Sequence, residues 1–197
     1  EVKDIIFLSL TNKTIDLPNN TISAGINSLS QLNAIKKFIE LNEIKKSIFL
    51  TPDLNYQVEI KQTIKESKIK FSKHYIYNTE PTKLTQQIEK ITNYKIRKQN
   101  LEDEIKRLEQ SDDQNKERKI KQLEKKYTLG NVNFDSVVIA DFDESLKSVA
   151  TSLLYSDVSP DKEYFISLNQ WFNESLIQEE SLQPMYYPSI NKKNWEN

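Results

Sequence analysis

Hydrophobic and polar positions along this chain change period repeatedly, and each change marks an element. Val137-Val138-Ile139-Ala140 is a short, continuously apolar run, mostly β-branched, that stops at Asp141. Such a run suits a strand covered on both faces, as in a parallel sheet. From Glu144 to Tyr155, Leu146, Val149, Ala150, Leu153 and Leu154 fall on one helical stripe. A second apolar run, Tyr164-Phe165-Ile166-Ser167-Leu168, leads into Asn169-Gln170-Trp171. The order is β-α-β, with chemistry-bearing side chains at the carboxyl ends of the strands, where open α/β sheets hold their ligands.

The same rhythm runs upstream. Ile5 to Leu10 predicts a strand, and the polar stretch from Asn12 to Ser30, holding Pro18 and Gly25, predicts a loop or crossover. Leu32, Ile35, Phe38, Ile39 and Leu41 form a helical stripe after Ser30, a fair N-cap. Ser47-Ile48-Phe49-Leu50 predicts a buried strand ending at Thr51-Pro52-Asp53. Tyr56 to Ser67, with Val58, Ile60 and Ile64, predicts a helix. Lys68 to Tyr77 alternates Ile69, Phe71, Tyr75 and Tyr77 with mostly polar neighbours, the pattern of a half-exposed edge strand. Leu84, Ile88 and Ile91 open the next helix. Helices between strands imply right-handed crossovers and a parallel sheet. The fold class is α/β, a three-layer, doubly wound parallel sheet.

One segment breaks the rhythm. From Tyr94 to Tyr127 charge dominates, and Leu101, Ile105, Leu108 and then Ile120, Leu123, Tyr127 recur at helical spacing. Ser111-Asp112-Asp113-Gln114-Asn115 divides the halves as a turn. This predicts two antiparallel helices projecting from the body, each with a narrow apolar seam. One long solvated helix, or a mobile arm, would share the pattern. Such an arm is either a docking surface or a solvated excursion without a partner.

Composition removes several classes. With 28 Lys and Arg against 29 Asp and Glu, no net field draws the chain to nucleic acid or anionic lipid. Without cysteine there are no disulfides, thiol nucleophiles or cysteine metal sites. Gly25 and Gly130 are the only glycines, so no glycine-rich phosphate loop is possible. No apolar run approaches the ~20 residues of a membrane helix, and no signal-peptide pattern opens the chain. The start at Glu1, directly before a strand, leads us to expect a piece of something longer.

The chemistry on offer is sparse. The only histidine, His74, sits in the alternating strand on the face opposite Tyr75 and Tyr77, where a satisfied or solvated ring is the simpler reading than a catalytic one. Asp141 and Asp143, two apart after a strand, suit a divalent cation or an ammonium group, and equally a turn and helix N-cap before Glu144. Tyr56, Tyr77 and Trp171 gather at strand ends beside Asn78 and Asn169. Aromatics with a few polar groups build sugar, peptide or amino-acid clefts, but they also cover sheet edges or face a neighbouring lobe. The ligand-cleft candidates are Asp53, Tyr56, Asn78, Asp141, Asp143, Asn169 and Trp171. We expect no catalytic residue, no metal site and no cofactor.

In order, these segments resemble a family. Phe134-Asp135-Ser136-Val137-Val138, Tyr155-Ser156-Asp157-Val158, Ser167-Leu168-Asn169-Gln170-Trp171 and Leu182-Gln183-Pro184-Met185-Tyr186-Tyr187-Pro188 are similar to the type I periplasmic-binding-protein fold, related to Leu/Ile/Val-binding receptors. Within it they look like the penicillin-binding protein activator lipoproteins of bacteria. Lys45 to Tyr56 resembles the strand and turn of that fold's second lobe. Two glycines of the family pattern are replaced, by Gln57 and Ser167. Their loss disfavours a tight amino-acid pocket, because glycine allows close backbone approach.

The resemblance implies residues 1–28 as the end of a first lobe and crossover, 29–93 as the first part of a second lobe, 94–128 as an inserted helical hairpin, and 129–197 as the rest of that lobe. It also implies a non-catalytic periplasmic domain, lipid-anchored to the outer membrane in the full-length protein, that regulates a peptidoglycan synthase by contact. The alternative it leaves open is a receptor lobe delivering an amino acid or similar polar solute to an ABC transporter. An enzyme of flavodoxin-like shape is poorly served by these residues.

Overall fold

The computed structural model describes residues 5–9, 19–23, 27–54, 57–141, 143–168, 176 and 178–189. Two strands come first, β1 (Phe7–Ser9) and β2 (Thr21–Ser23), paired in parallel as a separate two-stranded sheet. The main body follows: α1 (Ser28–Leu41), β3 (Ser47–Pro52), α2 (Gln57–Ser67), β4 (Lys73–Tyr77) and α3 (Pro81–Ile91). Helices α4 (Tyr94–Glu109) and α5 (Lys116–Leu123) form the charged excursion. The chain then returns through β5 (Ser136–Ile139), α6 (Asp143–Tyr155), β6 (Tyr164–Ser167) and β7 (Met185–Tyr186).

The main sheet has the order β4-β3-β5-β6-β7 and every neighbouring pair is parallel. Both faces are covered, so this is the three-layer, doubly wound α/β arrangement that the apolar runs imply. Alternation along the strands sorts side chains to the two faces. On one face Ile48, Leu50, Val137, Ile139 and Phe165 meet Leu84 and Ile88 of α3 and Leu146, Val149, Ala150 and Leu153 of α6. On the other, Phe49, Val138 and Ile166 meet Leu32 and Ile35 of α1 and Ile60 of α2. Each such buried side chain contributes roughly 1.5–3 kcal/mol over its exposed state.

Local differences from the sequence reading have physical reasons. Thr21–Ser23, inside the stretch expected to be loop, is a strand because β1 offers it a partner. The N-cap of α1 is Asn27, whose side-chain oxygen accepts from the Ser30 N–H at 2.8 Å, so Ser30 is the capped residue rather than the cap. Leu41 and Val58 are exposed, lying off the stripes that face the sheet. Strand β4 begins at Lys73, five residues later than the alternation suggested, and is the edge strand expected.

Helices α4 and α5 pack on each other along Leu101, Leu108 and the half-buried Ile105, Ile120 and Leu123. Tyr127 is not part of that seam; it lies beyond α5 and is 77% exposed. Asn93, at φ 52°, breaks α3 from α4, and asparagine adopts this left-handed backbone more readily than most residues.

Candidate functional site

The carboxyl ends of β3, β4 and β5 form one rim, and four candidate residues come to it. Asp53 follows β3, is exposed, and its N–H donates to the Tyr77 carbonyl at 2.8 Å, which holds the two strand ends together. Asn78 follows β4. Its N–H donates to Gln87 Oε1 at 2.7 Å, and its Oδ1 accepts from the Glu80 N–H at 2.9 Å. That side chain therefore shapes the turn into α3, whose first turn is capped by Glu80 through Thr82 N–H at 3.0 Å.

Asp141 follows β5 and is buried; its carboxylate accepts the hydroxyl of Tyr77, itself 1% exposed, in a short hydrogen bond. Asp143 and Glu144 are the acids of the first turn of α6, where the helix dipole favours negative charge. Asp143 has a left-handed φ of 43°. The rim thus carries Asp53 and Asp141 at strand ends and Asp143 and Glu144 at the start of α6, with one phenol tied to the buried acid. Tyr56, Asn169 and Trp171 lie outside the described residues. Among the described residues no group of three metal-ligating side chains comes together.

His74 is elsewhere, in the middle of β4. Its Nε2 lies 2.8 Å from Thr51 Oγ1, and its ring meets Phe49 edge-on at 5.1 Å. Burial lowers its pKa from the ordinary histidine value, and Lys61 adds to that effect. The neutral ring serves the sheet.

A second centre lies at the opposite, amino edge, and it went unremarked in the sequence. Arg97 of α4 is 5% exposed. Its Nε donates to the Thr92 carbonyl at 3.0 Å, Nη1 to Thr128 Oγ1 at 3.0 Å and to the Asp157 carbonyl at 3.3 Å, and Nη2 to the Ser156 carbonyl at 2.5 Å. Thr128 in turn donates to the Asp157 carboxylate. The Leu129 N–H closes the arrangement on the Arg97 carbonyl at 2.9 Å. Nearby, Glu163 Oε2 is buried without a hydrogen-bond partner, and burial holds that carboxyl above its usual range.

The motif acid Asp135 belongs to this edge as well. Its Oδ2 accepts from the N–H groups of Lys45 and Lys46 at 3.2 and 2.8 Å, pinning the start of β3 beside that of β5. A signal for Arg97 did exist: it stands four residues before Leu101 on the seam of α4, where a lone arginine among apolar positions needs buried acceptors.

The two centres lie at opposite ends of α6, which starts at Asp143 and stops just short of Ser156 and Asp157. Thirteen residues of helix separate them by about 20 Å. The α4–α5 arm is therefore rooted away from the rim.

What these features define is a two-faced parallel α/β unit with an acidic carboxyl rim and a charged arm at its amino edge. No protein-family model matches the sequence, nor does any curated protein. Solved structures similar to it include the following two. One is the Lac repressor bound to ONPG in its repressed state: 9% identity, TM-score 0.48, covering 91% of this chain and 43% of the repressor chain. The other is the Caulobacter myo-inositol-binding protein bound to myo-inositol: 8% identity, TM-score 0.45, covering 88% of this chain and 49% of that one. This chain spans less than half the length of either. The narrower resemblance to activator lipoproteins has no counterpart in these matches.

Proposed function

We propose that this chain is a non-catalytic binding module that regulates a peptidoglycan synthase, a penicillin-binding protein, by protein contact. Its place in that reading is the periplasm, within a longer protein carried on a lipid anchor. The observation that carries the reading is the rooting of the arm. Arg97 gives four hydrogen bonds to hold α4 against the amino edge, about 20 Å from the rim. An excursion without a partner has no need of a fixed root, whereas a docking element gains from one, because ordering before binding lowers the cost of association. The chemistry of the chain agrees. Its single histidine is held by Thr51 and Phe49, and the buried rim acid is held by Tyr77.

Surface plasmon resonance of the full chain against the ectodomain of a bifunctional synthase tests this, alongside the synthase's glycan-polymerisation rate. Saturable binding with a change in rate is expected. No binding at micromolar concentration would remove the proposal.

A second reading has its own observation. The Tyr77–Asp141 pair and the acids at the start of α6 form a rim suited to a protonated amine, as in a solute receptor lobe. Thermal shift against amino acids and small amines decides it: contact regulation expects no saturable shift, solute reception expects one.

A further inference from the structure

Charge is unevenly placed along this chain. Residues 116–126 hold six lysines and arginines against two glutamates, a net of +4, in a protein whose total is −1. No side chain of helix α5 is fully buried, and Ile120 and Leu123 turn half-buried into the seam. Arg118 and Lys121, three apart, share one face of α5, Lys125 follows in the turn after it, and all three are exposed. Their cationic groups make no ion pair or hydrogen bond among the described residues. Across the seam and at the turn, Glu104 pairs with Arg107 at 2.6 Å and Asp113 with Lys119, while Glu117 and Glu124 on the α5 side leave the stretch at a net of +4.

Three further features narrow what this face fits. Tyr127 stands exposed just beyond α5, and tyrosine is among the residues enriched as interface anchors. At the far end of the arm Asp113 is paired with Lys119, and Glu109 and Asp112 add two acids without an ion pair among the described residues. A uniformly anionic sheet, such as a phospholipid surface or a nucleic-acid backbone, would repel that tip as it attracted α5. A protein surface can set acids opposite α5 alone. Finally, the arm's root is fixed by Arg97, so the charged face keeps one orientation relative to the body.

We infer that the α5 face with Arg118 and Lys121, continued by Lys125 and Tyr127 just beyond the helix, docks on an acidic protein surface that also offers an apolar recess. This rests on the contact reading above and names the chemistry of the partner's side. Charge complementarity of this kind governs encounter and orientation more than the final tightness, so the interaction should weaken steeply with salt.

The probes are a twenty-residue polyglutamate peptide, phosphatidylglycerol vesicles and the synthase ectodomain, each offered to the full chain and to its R118E/K121E/K125E variant. All three substitutions are on exposed side chains, and circular dichroism checks that the fold is kept. With polyglutamate at low salt, amide shifts confined to residues 116–127 are expected, with affinity reduced about tenfold or more in the variant. No polyglutamate binding, or tighter retention on vesicles through the same residues, would overturn the inference. The synthase separates the two ideas. If it binds the parent and the variant equally, the docking face is wrong while contact regulation stands. If it binds neither while polyglutamate still selects α5, the synthase reading fails and the acid-seeking face remains.

Discussion

Arg97 in α4 and Asp157 beyond α6 meet at the amino edge of the sheet, with Nη1 donating to the Asp157 carbonyl at 3.3 Å and lying 4.0 Å from its carboxylate. One buried guanidinium so joins the end of α3, the return from the arm and the turn after α6. Asp157 sits in that turn at a left-handed φ of 54°, which presents both its carbonyl and its carboxylate to the cluster. The arm's direction is therefore a property of the body.

Replacing Arg97 with alanine strands the carbonyls of Thr92 and Ser156 and takes a cation from beside the Asp157 carboxylate. The expected loss of stability is about 3 kcal/mol. Lysine, a point charge without the planar fork, should recover only part of it. Urea midpoints at constant slope measure both, and an unchanged midpoint for R97A would show that the cluster ties nothing down.

The core makes a sharper contrast. Phe165→Ala and Leu50→Ala each empty a fully buried site between sheet and helices, and should cost about 3–5 kcal/mol. Val58→Ala, on an exposed position of α2, should change stability by less than about 0.5 kcal/mol. Denaturant unfolding of the three variants checks the assignment of faces.

Glu163 supplies a pH signature. Burial raises its carboxyl pKa, against the opposing effects of the Ser159 N–H, Lys162 and Arg97, while Asp157 adds to the rise. A raised carboxyl favours the folded state below the unfolded value, about 4.3, and that advantage is lost as pH rises through the folded value. E163Q should therefore be more stable than the parent at pH 7.5 and equal to it near pH 4. A difference that is the same at both pH values would contradict this origin.

His74 runs the other way. Desolvation, then Lys61, lowers its pKa, so the neutral ring favours folding above the unfolded value of about 6.5 and the benefit fades as pH falls toward the folded value. Being the only histidine, its ring protons give a single titration by NMR. The midpoint should lie below 6.5; one at or above it would place the ring in solvent.

Much of the fold was legible because buried parallel strands leave an unmistakable trace. Ser47–Pro52 and Ser136–Ile139 are apolar on both faces, and α6 carries its stripe at Leu146, Val149, Ala150 and Leu153. The site was less so. Asp141 stood out as an acid after a strand, yet nothing in spacing says that the hydroxyl of Tyr77, 64 residues earlier, donates a hydrogen bond to it. For Arg97 the seam position hints at burial, but three of its four acceptors are backbone carbonyls, which have no signature in sequence. Strand β2 was missed because three residues, Thr21-Ile22-Ser23, are too few to show a period.

At the rim, Tyr77→Phe removes the hydroxyl that the Asp141 carboxylate accepts, at an expected cost of about 1–3 kcal/mol. In the contact reading that loss leaves synthase binding intact, because the rim is not the docking face. Calorimetric stability and binding, measured together, separate the two effects.

The central claim is that the arm, and not the rim, meets the partner. Hydrogen–deuterium exchange of the full chain with and without the synthase ectodomain tests it most directly. The account predicts new protection within residues 94–127, strongest along α5, with exchange at Asp53, Asn78 and Asp143 unchanged. Protection gathered at those rim residues, with the arm exchanging as before, would contradict it.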